Sequence, residues 1–317
     1  MTKRMPEYEP SFFGAEMRLL YAPDVTKGPD GRYYLYYALD TVNVISVAVC
    51  DTPAGEYEFL DYVRRADGTI PEVGRWFDPA ILCEESGNYL YYGFCPPMRF
   101  PGMEKLDIPG AMMVKLSDDM HTIISEPVCV ANGIDTAKGT AYEAHPFFEA
   151  SSIRHFGDWY YFVYSSLQEH ELCYGMAKTP EGPFEYKGVI VSNGDIGYEG
   201  NTLPVNYTGN NHGGLVEVEG AYYIFWHRHT HGIAFSRQGC ADRVVICGRR
   251  NDSADRDYKL WFELTERFRQ ADSIRRICLS SDRRRSRKSR TGDHGRSGRG
   301  CTGTSGRNAV YYRRGSK

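Results

Sequence analysis

The sequence predicts an all-β fold, a propeller of four-stranded units arranged radially, and three observations carry that prediction. Aromatic residues make up 14% of the 317 positions, with 24 tyrosines, against 41% hydrophobic residues overall, a balance that favours strands over helices. A polar residue opening a short apolar segment, then a Gly-containing turn, then an aromatic-rich strand, recurs four times. A Thr-Pro corner followed by Gly and a fourth aromatic strand recurs at matching distances behind two of those copies.

The first copy runs from Ala22-Pro23-Asp24-Val25 through a turn at Gly28 to Gly31 into Tyr33-Tyr34-Leu35-Tyr36-Tyr37. Trp76-Phe77-Asp78-Pro79-Ala80-Ile81-Leu82 opens the second, which turns at Ser86-Gly87-Asn88 into Tyr89-Leu90-Tyr91-Tyr92. The third is Phe147-Phe148-Glu149-Ala150-Ser151-Ser152-Ile153, turning at Gly157-Asp158 into Trp159-Tyr160-Tyr161-Phe162-Val163-Tyr164. Asn210-Asn211-His212-Gly213-Gly214 opens the fourth, which turns at Gly220 into Tyr222-Tyr223-Ile224-Phe225-Trp226. From opening residue to turn Gly the distances are 7, 9, 8 and 8 residues, the reach of a hairpin of two short strands. The corners Thr52-Pro53-Ala54-Gly55 and Thr179-Pro180-Glu181-Gly182 then divide a third strand from a fourth.

In such a propeller the first strand of each unit lines the central channel. A shared register would bring Asp24, Asp78, Glu149 and His212 together on one axial pocket. Any one of them alone could be a solvated strand-edge charge. Jointly, three carboxylates and an imidazole are costly to bury unless paired or used. Carboxylates below a funnel of Tyr and Trp suit a sugar, whose C–H faces pack on aromatic rings and whose glycosidic bond is cleaved by paired carboxyl groups.

These motifs in order resemble glycoside hydrolase family 43, the five-bladed propellers that include arabinanases, α-L-arabinofuranosidases and β-xylosidases. The resemblance covers residues 18–247 and shows about four of the blades. It implies cleavage of O-glycosidic bonds in pentose-containing plant polysaccharides (arabinan, arabinoxylan, xylan) by an inverting mechanism. Carried over residue by residue, Glu149 matches the general acid and Asp78 the aspartate that modulates its pKa. Asp24 matches a site-lining carboxylate, with a substitute base as a second role. Tyr21, Phe77, His212 and Arg237 are the expected substrate contacts. The resemblance also places His212 near an axial calcium held through water; otherwise no cofactor is required. The aspartate base of the family's first blade has no match, because only 23 residues precede Asp24 while the repeats run 54 to 71 residues. A chain without that base could be inactive, and a non-catalytic glycan-binding propeller is the alternative reading.

The net charge of -3 conceals a division. Residues 1–248 hold 18 Lys+Arg and 33 Asp+Glu, about -15, whereas 249–317 hold 20 and 8, about +12. Three segments are therefore expected: an N-terminal remnant at 1–17, the propeller at 18–247, and a basic, disordered tail at 248–317 with one short helix near Tyr258 to Gln270. The Arg/Ser/Gly-rich ending reads as a shifted reading frame or an ill-defined gene end, ahead of an arm that binds nucleic acid or protein. Nine scattered cysteines without a CxxC pair predict reduced thiols, neither a disulfide framework nor a zinc knuckle. The opening Met1 to Pro10 lacks a signal-like apolar run, so the expected location is cytoplasmic. Carbohydrate is the expected partner, with no membrane and no nucleic acid; oligomeric state is not legible. His227 and His229 should share one strand face and Arg228 the other, for a sugar-contacting or structural role. Glu143 and His145 are expected to border the pocket.

Overall fold

The computed structural model describes residues 19–39, 42–71, 74–97, 108–197, 200–229 and 236–248, together with the strand backbones 258–263 and 277–278. The expected N-terminal remnant and most of the basic tail lie outside the described residues. Four sheets, antiparallel except for one short edge pair, follow one another along the chain, in the order that the repeats predict.

Sheet A is β1 (Leu20–Lys27), β2 (Tyr33–Leu39), β3 (Val42–Cys50) and β4 (Glu58–Tyr62), paired in sequence order. The Thr52–Gly55 corner separates β3 from β4, as read from the sequence. Short β5 (Arg64–Arg65) leaves sheet A for the edge of sheet B. Sheet B contains β6 (Ala80–Glu84), β7 (Gly87–Tyr92), β8 (Gly110–Leu116), β9 (Thr122–Ile123) and β10 (Val128–Asn132). Sheet C repeats the plan of sheet A with β11 (Phe147–Phe156), β12 (Trp159–Ser166), β13 (Leu172–Ala177) and β14 (Glu185–Val191). Sheet D comprises β15 (Gly213–Val218), β16 (Ala221–His229), β17 (Arg237–Gly248), β18 (Tyr258–Glu263) and β19 (Ile277–Cys278).

The tail departs from expectation at β18. The sequence predicts a short helix near Tyr258 to Gln270, yet Tyr258–Glu263 is a strand pairing antiparallel with β17, from Arg243↔Glu263 to Gly248↔Tyr258. The physical reason is the open edge of β17. Its unpaired N–H and C=O groups accept a further strand, and Tyr258, Leu260, Trp261 and Phe262 favour extended backbone. The chain after 247 is therefore not uniformly without structure.

Adjacent sheets pack through their innermost strands, β1 on β6, β6 on β11, and β11 on β15. The abundance of tyrosine follows from that packing. Tyr36 is fully buried in sheet A and donates its hydroxyl to the Met120 carbonyl of sheet B at 2.5 Å. Tyr91 in sheet B does the same to the Pro180 carbonyl of sheet C at 2.6 Å. Each ring thus contributes apolar burial while its polar tip is satisfied across the sheet boundary. Trp76 stacks on Tyr92 with ring centroids 4.0 Å apart at the base of sheet B. At the A–B–C boundaries one apolar cluster forms around Tyr89, Tyr91, Phe147 and Phe162, and a second around Tyr161, Tyr174 and Trp226 joins C to D. Gly214 permits the close approach of sheet D to sheet C, since a Cβ there would lie 2.5 Å from the Ser152 hydroxyl oxygen. Cys50, Cys83, Cys95, Cys129, Cys173 and Cys240 are free thiols. Among the described residues no helix is long and apolar enough to cross a membrane.

Candidate active site

The strand heads share a kink. Ala22, Asp78 and Ala150 all adopt left-handed backbone, with φ of 44°, 46° and 65°, a conformation that side chains with a Cβ rarely take. In sheet A the register slips between Tyr21↔Ala38 and Asp24↔Tyr36; in sheet C it slips between Glu149↔Ser165 and Ser152↔Val163. These bulges make Tyr21 the positional counterpart of Glu149, and Asp24 that of Ser152. By its φ, Asp78 is the counterpart of Ala22 and Ala150. The polar heads therefore do not share one register, and each carboxylate enters the axial region differently.

Asp78 is 4% exposed, and its Oδ2 accepts the backbone N–H of Ala150 at 2.8 Å. That bond binds the head of sheet B to the residue next to Glu149. Burial pushes the Asp78 carboxyl up, opposed by the charges of His212 and Arg237 and by the Ala150 N–H. Glu149 is pushed up to about 8, by burial first and then by the nearby Asp78 charge, against the pull of Arg237. The two carboxyls share their titration. Asp78 has three groups stabilising its ionised form and Glu149 has one, so the proton resides on Glu149.

Asp24 does a different job. Its Oδ2 accepts the Ile81 N–H at 2.9 Å and its Oδ1 the Val25 N–H at 3.0 Å, with the Arg154 guanidinium 3.6 Å from Oδ1. Sheets A, B and C thus meet at this carboxylate. Asp24, Ser152, Arg154 and His212 line an open cavity of about 660 Å³ that continues to Phe225 and Trp226 of sheet D. Asp78 and Glu149 are not in its wall, although Ser151 is. The cavity is walled by residues of sheets A, C and D.

Tyr21 and Phe77 are in contact, ring centroids 5.2 Å apart, and the series continues through Phe94 at 5.4 Å and Phe148 at a further 5.2 Å. His170 stands edge-on to Phe148 at 5.0 Å, with its Nδ1 3.8 Å from Glu149 Oε1. An aromatic arc therefore runs from sheet A to the acid. Sequence reasoning missed Phe94, Ser152, Arg154 and His170. The Phe148–Glu149 register could have signalled Phe94, which follows the aromatic strand of the preceding unit.

His227 and His229 share a face, their rings 6.1 Å apart, while Arg228 donates to the Asn193 carbonyl at 2.8 Å. Burial first, then the Arg237 charge, brings His227 down to about 4, so it is neutral. His145 is stacked on Tyr186 and 3.4 Å from Glu171, Glu143 accepts the Gly139 N–H, and neither lines the cavity beside Asp24. Among the described residues no group of three or more His, Cys, Asp or Glu could hold a metal ion. One imidazole at His212 does not supply the six to eight oxygens that calcium takes, so the residues do not fit a protein-ligated calcium.

Fold and site together define a propeller protein with a buried carboxyl pair near its axis. The chain belongs to a named family of that class: glycosyl hydrolases family 43 matches residues 3–247, beginning upstream of the first recognisable repeat. It is 54% identical over 234 residues to a xylosidase/arabinosidase of Thermoclostridium stercorarium, covering 72% of this chain and 48% of that protein. A xylosidase/arabinosidase of Bacteroides ovatus is 32% identical over 218 residues, with 62% of this chain and 61% of that one covered. The chain thus spans about half the length of the first of these relatives. Among solved structures, a GH43 β-xylosidase/α-arabinofuranosidase from a compost microbial metagenome superposes with a TM-score of 0.55 at 25% identity, covering 76% of this chain and 72% of that one.

Proposed function

We propose that this chain forms an inverting glycosidase site for β-xylosides and α-L-arabinofuranosides of pentose-containing plant polysaccharides, with Glu149 as general acid. The observation that carries the reading is a buried Asp78 bonded to the Ala150 N–H next to Glu149, a pairing in which burial first and then the Asp78 charge push Glu149 up to about 8. A carboxylic acid still protonated at neutral pH can give its proton to the glycosidic oxygen as the C1–O bond breaks. Asp78 keeps that proton in place through its charge and orients the acid's backbone through Ala150. The arc from Tyr21 to Phe148 offers faces for sugar C–H groups, and Arg237 and His212 offer charge and polarity. The names of the relatives, xylosidase and arabinosidase, support pentosides as the substrate class.

An inverting mechanism also needs a base for the attacking water, on the opposite face of the sugar. Asp24 is the one carboxylate among the described residues that line the cavity. Its oxygens already accept two backbone N–H groups and face Arg154, so both are engaged in holding sheets A, B and C together. That observation favours a second reading, a glycan-binding propeller with an intact acid half. Turnover of aryl β-xylosides and α-L-arabinofuranosides by this chain and by Glu149→Gln separates the two. Release of phenol by the parent, lost in the variant, supports the enzyme. Sugar binding by calorimetry with no turnover in either would replace the glycosidase with the binding protein.

A further inference from the structure

We propose that His170 is a positioning residue for the acid: its Nδ1–H is aimed at Glu149 Oε1 and so directs the carboxyl proton, on Oε2, toward the leaving group. The inference rests on the glycosidase reading above and deepens it.

His170 sits at the tip of the β12–β13 hairpin, where Glu171 N–H closes onto the Gln168 carbonyl at 3.0 Å. Both central residues of this turn are left-handed, Glu169 at φ 52° and His170 at φ 50°. Such turns favour Gly and Asn, and a residue with a larger side chain costs about 1 kcal/mol or more at each position. Here neither is Gly or Asn, and the turn is held from behind. The Ser166 hydroxyl donates to the Gln168 carbonyl, Thr208 donates to the Glu169 carboxylate, and the carboxyl of Glu171 is buried at 4% exposure against His145. The product of this bracing is an imidazole edge-on to Phe148, its Nδ1 buried without a hydrogen-bond partner and 3.8 Å from Glu149. Catalytic hydrogen bonds are often this long before substrate arrives and shorten in the complex.

The charged and titratable neighbours are consistent with a neutral donor. Glu169 on the same turn and His229 on β16 face His170; Asp78 and Arg237 face Glu149. Burial, the largest influence, lowers the His170 pKa. We assign its hydrogen to Nδ1. A donor on Oε1 leaves Oε2–H as the acidic edge, and the bond strengthens as the carboxylate forms, when the proton passes to the departing oxygen.

The test compares His170→Gly and His170→Asn, both compatible with left-handed backbone, the second keeping a short donor. On pentosides with a poorly leaving alkyl or methylphenyl group, the Gly variant should lose about 10- to 100-fold in kcat. On 2,4-dinitrophenyl pentosides, which leave without protonation, it should lose less than about 3-fold. Asn should recover much of the difference. Equal losses on both leaving groups, or none, would overturn the positioning role. A second measurement needs no turnover: the Glu149 carboxyl, followed by carbon-13 NMR, should titrate at higher pH in the Gly variant, because its ionised form has lost a donor. An unmoved or lowered midpoint would overturn the inference. If the parent turns over neither substrate, the glycosidase reading falls, while the titration still decides whether His170 holds the acid.

Discussion

Asp78 Oδ2 accepts the backbone N–H of Ala150 at 2.8 Å, so the pKa modulator is bonded to the residue that follows the acid it modulates. The head of sheet B thereby fixes the backbone of sheet C where Glu149 emerges. Asp78→Asn keeps an acceptor for that N–H but removes the charge. Burial, the larger cause of the raised Glu149 pKa, remains, while the repulsion is lost. The Glu149 midpoint should therefore fall below about 8 yet stay above its unperturbed 4.5, and the alkaline limb of kcat/KM should move to lower pH with it. A pH–rate profile checks this; a limb that stays fixed or moves upward would separate Asp78 from the acid.

Raised carboxyl pKa values also make stability depend on pH. Burial pushes Glu149 up to about 8 and Glu171 up to about 7, each from an ordinary 4.5. Burial is the first cause in both, so the folded protein binds these protons more tightly than the unfolded chain. Their contribution is complete below about pH 4.5 and is lost as pH rises through 7 and then 8. Replacing both with Gln should flatten that part of the profile. Between pH 5 and 8.5 the parent should lose several more degrees of Tm by calorimetry than the Glu149→Gln/Glu171→Gln variant, at about 2 to 8 °C per kcal/mol. Parallel profiles would mean that neither carboxyl is protonated in the fold.

Much of this was legible in the sequence and some was not, for identifiable reasons. The hairpins and corners were readable because Tyr, Phe and Trp strands between Gly and Pro turns admit few other structures. The axial register was not readable, because a bulge adds one residue silently. Asp24 and Glu149 both head an aromatic hairpin, yet the matching kinks at Ala22 and Ala150 make Tyr21, not Asp24, the positional counterpart of Glu149. Nothing local in an Ala announces left-handed backbone. His170 was hidden for the same reason, since the Gln168–Glu171 turn carries neither the Gly nor the Asn that marks such turns. Tyr258–Glu263 was misread as helix because a strand that completes a ladder is decided by its partner's open edge.

The staple at Asp24 can be distinguished from a base by separating shape from charge. Asp24→Asn retains an oxygen for the Ile81 N–H, whereas Asp24→Ala leaves that N–H without its charged acceptor, a loss of about 1 to 3 kcal/mol. Asn should therefore keep most of the Tm and most of the activity, while Ala lowers both. The reverse pattern, full stability with abolished turnover in Asn, would make Asp24 the base after all.

Under the second reading, an acid half without a partner base, the site should respond to an external nucleophile. Azide is a small anion that carries its own negative charge, so it needs no base to activate it. It attacks C1 from the face opposite the leaving group, the C1–O bond breaks, and Glu149 passes its proton to the departing oxygen; the product is a glycosyl azide of inverted configuration. Adding azide should raise turnover of an aryl pentoside severalfold, with the inverted azide identified by proton NMR. Glu149→Gln should keep that enhancement on a 2,4-dinitrophenyl pentoside, which departs unassisted, and lose it on a phenyl pentoside, which needs the proton. A retained-configuration azide would point to a covalent intermediate and hence a different chemistry. No enhancement, with brisk turnover in water alone, would mean that an efficient base is already present beside Glu149.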